Sequence, residues 1–338
     1  MHWSPRHYLI ALNMVSGIGG RRLIALQEHF GSLAAAWHAP FSALAEVKGM
    51  GPNTAQRFCE ERLEICPLEE EKWAARLGAR VVTLYDGEYP EYLKRLAVPP
   101  PVLYIMGKLP EEPGIAVVGT RKPSRVGVAQ ARHFTAELVR RGEAVISGLA
   151  RGIDRCAHEQ ALELGGQTVA VLGSNLGQIY PAEHRGLVQR IKEQGAVVSE
   201  FSSRCPTVPG NFPRRNRIIA GFSRGVLVVQ AGANSGALRT ADWALEMGLE
   251  VWSIPGEISD PLREGNHKLI KQGAALVTSP AELFAGEPPE REGVPTSIGE
   301  LFSAGCTPNE ISARLGKPIQ EVLVQISRLE VGGGRAWK

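Results

Sequence analysis

The stretch AVISGLARGIDRCAHEQALEL, Ala144 to Leu164, decides the fold. It opens on the apolar run Ala144–Ile146, turns through Ser147-Gly148-Leu149-Ala150-Arg151-Gly152-Ile153-Asp154, and continues as an amphipathic helix over Asp154–Leu164. Working outward, the same order of β-branched run, glycine turn and helix repeats between about Gly114 and Phe284. The further runs are Ile115–Val118, Thr168–Leu172, Ala196–Ser199, Val226–Val229, Val251–Ile254 and Ala275–Thr278. Helices are expected at Val128–Arg141, Glu183–Glu193 and Ala237–Met247. Strands that are apolar on both faces and separated by helices form a parallel sheet covered on both sides. The expected fold class is therefore α/β, a Rossmann-like doubly wound parallel sheet. Upstream, Glu69–Leu77 and Ala79–Leu84 read as a helix and strand of the same sheet, followed by a connection rich in proline (Pro90, Pro99, Pro100, Pro101).

Residues 7–65 read as helical and carry two similar turns, Val15-Ser16-Gly17-Ile18-Gly19 and Val47-Lys48-Gly49-Met50-Gly51-Pro52-Asn53-Thr54-Ala55. A hydrophobic residue, Gly-x-Gly and a helix start is the pattern of a helix-hairpin-helix, where glycines let backbone N–H groups approach a DNA phosphate. Glycines that only make tight turns in a small helical bundle fit the same residues. At the other end, Gly286–Pro295 reads as a linker. Thr296–Gly305, Pro308–Leu315 and Ile319–Leu329 follow as short helices, with a turn at Gly316-Lys317-Pro318 and a stunted wing at Gly332–Gly334. The expected domains are 1–68, helical and helix-hairpin-helix or SAM-like; 69–285, Rossmann-like; the linker 286–295; and 296–338, winged-helix-like. The recognition helix of that last domain, Ile319–Leu329, offers only Gln320, Gln325 and Arg328 as base readers, beside Glu321 and Glu330. That is thin for groove binding, and a partner-contact or regulatory role is expected instead.

The sequence holds 38 Lys+Arg against 35 Asp+Glu, a formal net charge of only +3, so affinity for a polyanion has to come from where charges sit. Neither a secretory leader nor an apolar run long enough to span a bilayer is visible. Cys59, Cys66, Cys156, Cys205 and Cys306 make no CxxC pair and no zinc-ligand spacing, which argues for a reducing, cytoplasmic setting.

Ligands of open α/β sheets bind beyond the carboxyl ends of the strands, so the residues after each run matter most. Ile115–Val118 is followed by Gly119-Thr120-Arg121-Lys122-Pro123-Ser124, which is neither GxGxxG nor GxxxxGK[ST]. A glycine turn, two adjacent cations and a serine helix cap remain. The next loop offers Ser147, Gly148 and Arg151 to a phosphate, with Asp154 as a bracing carboxylate. The richest loop is Pro209-Gly210-Asn211-Phe212-Pro213-Arg214-Arg215-Asn216-Arg217, where three arginines crowd a helix start. That placement opposes the helix dipole and costs stability unless an anion compensates it. Ala233-Asn234-Ser235-Gly236-Ala237-Leu238-Arg239-Thr240-Ala241 is a further small-residue turn into a helix.

Taken together, GTRKPS, SGLARGID, GNFPRRNRIIAG, SGALRTA and Gly265-Asn266-His267-Lys268-Leu269-Ile270, in this order, resemble the DprA/Smf family, DNA processing protein A. Tyr89-Pro90-Glu91-Tyr92-Leu93 and Pro101-Val102-Leu103-Tyr104 extend the resemblance, which runs from Tyr89 to Phe284. It implies a homodimer that binds single-stranded DNA during natural transformation, protects it and loads the RecA recombinase on it, with no nucleotide hydrolysis and no cofactor. Carried onto this chain, the DNA pocket would use Gly119, Arg121, Lys122 and Ser124; Ser147, Gly148 and Arg151; and Phe212, Arg214, Asn216 and Arg217, with Arg215 beside them. The competing reading is a Rossmann-like nucleotide phosphoribohydrolase of the lysine-decarboxylase-like type. It would need PGGxGTxxE near Ala231–Asp242, and Arg239 stands where that chemistry wants an acid; Asp154 and Glu200 are the other carboxylates in reach.

Overall fold

Apolar strands become stable in water once both faces are covered, and the hydrophobic residues of this chain sort into two layers accordingly. In the computed structural model, which describes residues 3–284, 307–315 and 318–332, a nine-stranded sheet has the order β1-β2-β6-β5-β4-β3-β7-β8-β9. The strands are β1 (Ala79–Thr83), β2 (Val102–Gly107), β3 (Gly114–Val118), β4 (Val145–Ser147), β5 (Thr168–Val171), β6 (Ala196–Ser199), β7 (Ser223–Val228), β8 (Glu250–Ser253) and β9 (Ala275–Leu276). Successive side chains alternate between the two cores. Tyr104, Met106 and Val197 belong to one, and Leu103, Ile105 and Val198 to the other. The first core is closed by α1 (Pro5–Met14), α2 (Gly20–Phe30), α3 (Leu33–His38), α4 (Phe41–Glu46), α5 (Gly51–Glu61), α6 (Pro67–Arg76) and, further along, α8 (Ile153–Glu163) and α9 (Arg185–Gln194). The second is closed by α10 (Asn211–Gly221), α11 (Gly236–Glu246) and α12 (Glu264–Lys271). Helix α7 (Arg125–Arg140) packs beside α8 and against β3 and β4.

The expectation of a parallel sheet needs one correction. From β6 to β9 all pairings are parallel, but β2 pairs antiparallel with both β1 and β6. A parallel return needs a crossover helix, whereas the proline-rich segment after β1 forms only a short 3-10 turn over Glu91–Arg95. Tyr89 donates to Pro100 O at 2.9 Å, and Arg95 donates to the Ser223 carbonyl; the chain reverses and adds β2 as an antiparallel strand.

The amino-terminal helices share a core with the sheet: Leu9, Leu26, Phe58, Tyr104 and Val197 fall in a single buried cluster. Arg6 on α1 fastens this layer, pairing with Glu71 on α6 and with Asp86 at 2.9 Å, and donating to Val81 O on β1 at 2.8 Å. Both Gly-x-Gly turns precede helices; Gly17 and Gly49 each sit at φ +82°, a left-handed conformation that favours glycine.

The chain divides into two compact units, Met1–Leu283 and Phe284–Lys338. In the second, α13 (Pro308–Leu315) and α14 (Ile319–Gly332) bury Ile311, Val322 and Ile326. The expected linker 286–295, the helix at 296–305, Cys306, the turn residues 316–317 and the remainder of the wing lie outside the described residues.

The run Gly265–Ile270 has a structural role. Asn266 is fully buried; its side-chain oxygen accepts from Ala231 N at 2.7 Å, and its amide donates to Val228 O at 2.9 Å and Ser253 Oγ at 3.1 Å. Gly265 lets α12 approach this close, since a Cβ there would lie 2.6 Å from Gly232 O. Asn266→Ala strands these buried partners and is expected to lower stability by about 2–4 kcal/mol, read from urea unfolding at constant m-value.

Candidate functional site

Strand order reverses direction between β3 and β7: β4, β5 and β6 extend to one side, β8 and β9 to the other. Loops leaving the two strands diverge there and leave a crevice. A cleft of about 890 Å³ occupies this place, lined by Gly119 to Lys122 after β3, Ala150 and Asp154 after β4, Phe212, Arg215 and Asn216 of α10, and Gly232 to Gly236 after β7. The four loops singled out from the sequence therefore converge on one cleft.

The β3 loop is held by a residue the sequence did not announce, Gln230. Its carbonyl accepts from Thr120 N at 2.7 Å and its side-chain oxygen from Ser124 N at 2.9 Å. Ser124 caps α7, its hydroxyl accepting from Gly127 N at 3.1 Å. Gly119 is required for close approach: a Cβ there would meet Ile153 Cγ1 at 2.6 Å and Gln230 O at 2.8 Å. With the backbone so occupied, Arg121 and Lys122 extend to the surface with no ion pair among the described residues. The Arg121 guanidinium lies 5.9 Å from the centre of the Phe212 ring, and Tyr180 packs against the other part of that ring at 5.3 Å. Tyr180 is half exposed and was missing from the sequence-based site.

The β4 loop is turned inward. Ser147 is fully buried and donates to Val117 O at 2.7 Å; the Gly148 and Ala150 amides donate to Asp154 at 3.1 and 3.4 Å. Asp154 thus braces the loop. Arg151 points outward and pairs with Glu183 at 2.5 Å.

The arginines of α10 divide three ways. Arg215 is buried, donating to Gly148 O at 2.6 Å and to the Val171 carbonyl. Burial pulls its pKa down to about 10 despite the nearby Asp154, whose own carboxyl is raised by desolvation. Gly148 makes room for it, since a Cβ there would lie 2.6 Å from the guanidinium. Arg217 pairs with the buried Glu200 at 2.5 Å and donates to Val98 O at 3.0 Å. Arg214 is half exposed, 3.7 Å from the other oxygen of Glu200 and 5.5 Å from the centre of the Phe201 ring. Asn216 is buried and donates to Gly236 O at 3.1 Å, joining α10 to the start of α11. The anion that an arginine-rich helix start demands is supplied from inside for Arg215 and Arg217, by Asp154 and Glu200. Of the residues expected in the pocket, Gly119, Arg121, Lys122, Phe212, Arg215 and Asn216 line the cleft; Ser124, Ser147, Gly148 and Arg217 brace the framework behind it, and Arg151 and Arg214 stand outside the lining, beside Glu183 and Glu200. Arg239 and Thr240, noted in the sequence only as part of a turn, line the cleft from the β7 side.

Behind the β4 loop, His184 Nδ1 donates to Leu149 O at 2.9 Å and His158 Nδ1 donates to Thr168 Oγ1 at 2.7 Å. The Thr168 hydroxyl is itself committed to Val145 O at 2.7 Å, which makes it the acceptor for His158. Burial, with His184 and Arg215 adding to it, pushes the His158 pKa from 6.5 down to about 3.

These buried groups set two expected outcomes. The unfolded chain protonates His158 near 6.5 and the folded chain only near 3, so its contribution is complete above 6.5 and is lost as pH falls through that window. Folding stability should drop by about 1.4 kcal/mol per pH unit there, and His158→Gln should flatten that slope in urea titrations at stepped pH. Arg217→Ala leaves the buried Glu200 carboxylate with only the longer 3.7 Å contact to the half-exposed Arg214 and should cost about 3 kcal/mol of stability, measured by denaturant unfolding.

Comparison with known proteins places this geometry. The model of the DNA recombination-mediator protein A family matches residues 80–286. The Smf protein of Escherichia coli is 42% identical over 284 residues, 77% of this chain and 76% of its own length. The Smf protein of Synechocystis is 38% identical over 288 residues, 83% of this chain and 72% of its own. The X-ray structure of DNA processing protein A from Streptococcus pneumoniae superposes with a TM-score of 0.70 at 31% identity, covering 85% of this chain and 99% of that one. The DNA processing protein A of Helicobacter pylori, whose structure concerns a single-stranded DNA binding mode, gives 0.55 at 27% identity over 61% of this chain and 94% of its own. A Rossmann-like sheet with its cleft at the β3/β7 reversal, and a family match that spans every strand except part of β1, make this chain a member of the DNA processing protein A (DprA/Smf) family.

Proposed function

We propose that this chain is a single-stranded DNA binding protein of recombination, which holds the strand in the cleft at the β3/β7 reversal, protects it and passes it to the RecA recombinase during natural transformation. One observation carries the reading: Arg121 and Lys122, which make no ion pair among the described residues, line the same cleft as the Tyr180–Phe212 aromatic pair, with Arg121 5.9 Å from the centre of the Phe212 ring. Cations track a phosphodiester backbone, and an aromatic face accepts an unstacked base of any identity. A duplex keeps its bases stacked and withholds them from such a face. The protein acts by binding, without catalysis or a cofactor. The carboxylates lining the cleft are Asp154, committed to the Gly148 and Ala150 amides, and Glu264; the hydrolase alternative is not favoured by Arg239 in place of an acid. Two copies of the chain in a homodimer present two clefts to one strand and raise apparent affinity through effective concentration. Among the described residues no helix is long and apolar enough to cross a membrane.

Fluorescence anisotropy titration of the purified protein with single- and double-stranded oligonucleotides at two salt concentrations tests this. Single strands are expected to bind more tightly, and equal affinity for both overturns the reading. The double variant Arg121→Ala, Lys122→Ala removes two phosphate contacts, so its log affinity should depend on log salt with a slope shallower by about 1.4.

A further inference from the structure

The family resemblance draws the cations of the pocket from the β3 loop, the β4 loop and α10, yet the cleft has a further wall after β7. That wall is the first turn of α11, preceded by Ala233-Asn234-Ser235-Gly236. These small residues leave its approach open: Ala233, Asn234 and Gly236 are exposed, and a Cβ on Gly236 would meet nothing within 4 Å. Arg239 lies on this turn, exposed, and has no ion pair among the described residues. Glu264, the exposed carboxylate of the lining, does not pair with it. A cation near a helix start opposes the helix dipole, and α10 solves the same problem with Asp154 and Glu200. No such internal anion serves Arg239.

A second observation points into the same place. Thr240 is 1% exposed yet lines the cleft, and its hydroxyl has no hydrogen-bond partner among the described residues. A cleft-lining hydroxyl with no protein partner is completed by water or by a ligand. An arginine fork, a hydroxyl donor and the positive end of an eleven-residue helix form an acceptor-seeking set that suits a phosphate group.

We infer that Arg239 and Thr240, at the start of α11, form a second phosphate subsite facing Arg121 and Lys122 across the β3/β7 reversal. The subsite takes a phosphodiester of the same strand, so the strand crosses the crevice from wall to wall instead of following the β3 loop alone. This rests on the single-strand reading and adds to it a contact on α11. The turn at 233–236 then serves as clearance for the backbone, its small side chains leaving the phosphate free access to the helix start.

The test is a set of anisotropy titrations of labelled oligo(dT) against the full chain and its Arg239→Ala, Arg239→Lys, Thr240→Val and Arg121→Ala variants. Arg239 is exposed, so its substitutions leave the fold intact, which an unchanged unfolding midpoint verifies. Arg239→Ala is expected to weaken binding about fivefold to tenfold at about 50 mM salt, with the deficit narrowing about two- to threefold at about 200 mM, as removal of a single phosphate interaction requires. Arg239→Lys should recover most of the charge-dependent part, and Thr240→Val should weaken binding without changing the salt slope. If Arg239→Ala titrates like the parent while Arg121→Ala is weakened, the α11 subsite is refuted and the single-strand reading stands. If the parent chain itself does not bind oligo(dT), both fall.

Discussion

Gln230 ties together two loops that the sheet topology drives apart. Fully buried just beyond β7, it satisfies the backbone of the β3 loop at Thr120 and Ser124, and glycines at 119 and 127 give it room. A Cβ on Gly127 would lie 2.2 Å from its side-chain oxygen. Backbone polar groups at a sheet reversal must find partners, and in a nucleotide-binding loop those partners come in part from the ligand. Here they come from the protein. The loop backbone is held by the protein's own groups, and its two cations make no ion pair among the described residues.

That division between framework and surface runs through the charges. Arginine stays protonated in a protein interior, so burying it requires carbonyls or carboxylates around the guanidinium. Arg215, Arg217 and Arg263 are each provided with such acceptors; Arg263 donates to Val229 O at 2.6 Å. Outside the cleft lining, Arg151, Arg155 and Arg204 pair with Glu183, Glu159 and Glu64 at 2.5, 2.8 and 3.2 Å. Among the described residues, the cations of the cleft lining that make no ion pair are a small set that includes Arg121, Lys122 and Arg239. The near-neutral total of +3 therefore says little about the cleft, where Arg121, Lys122 and Arg239 stand together in the lining.

Periodicity made the sheet and most of its helices legible, because strands covered on both faces leave an apolar signature and β3 to β8 carry it. Boundaries moved where side chains took structural work: Ser147 ends β4 because its hydroxyl is bonded inside the sheet. Strand β2 escaped notice as a strand because its direction is set by the proline-rich reversal and not by its own residues. The site was half legible. Arg121, Lys122 and Phe212 stand where the motifs put them, but a run of arginines says nothing about which guanidinium turns inward. Arg215 turns inward to the Gly148 and Val171 carbonyls and Arg217 to Glu200, partners whose nearness exists only in three dimensions. Gln230 and Tyr180 gave no signal at all, since a lone glutamine or tyrosine after a strand resembles any other.

Arg215 also bears on how the molecule acquires its cleft. From α10 it reaches carbonyls 67 and 44 positions away in the chain, at the ends of β4 and β5. Such distant contacts are made only after the intervening segments are ordered, because loop closure must precede them. An assembly intermediate holding β3, β4 and β5 alone would possess the β3 loop but lack one side of the cleft and its aromatic rim. Binding competence is thereby tied to long-range order: the cleft requires contacts between segments far apart in the chain, and a fragment ending before α10 lacks one of its walls.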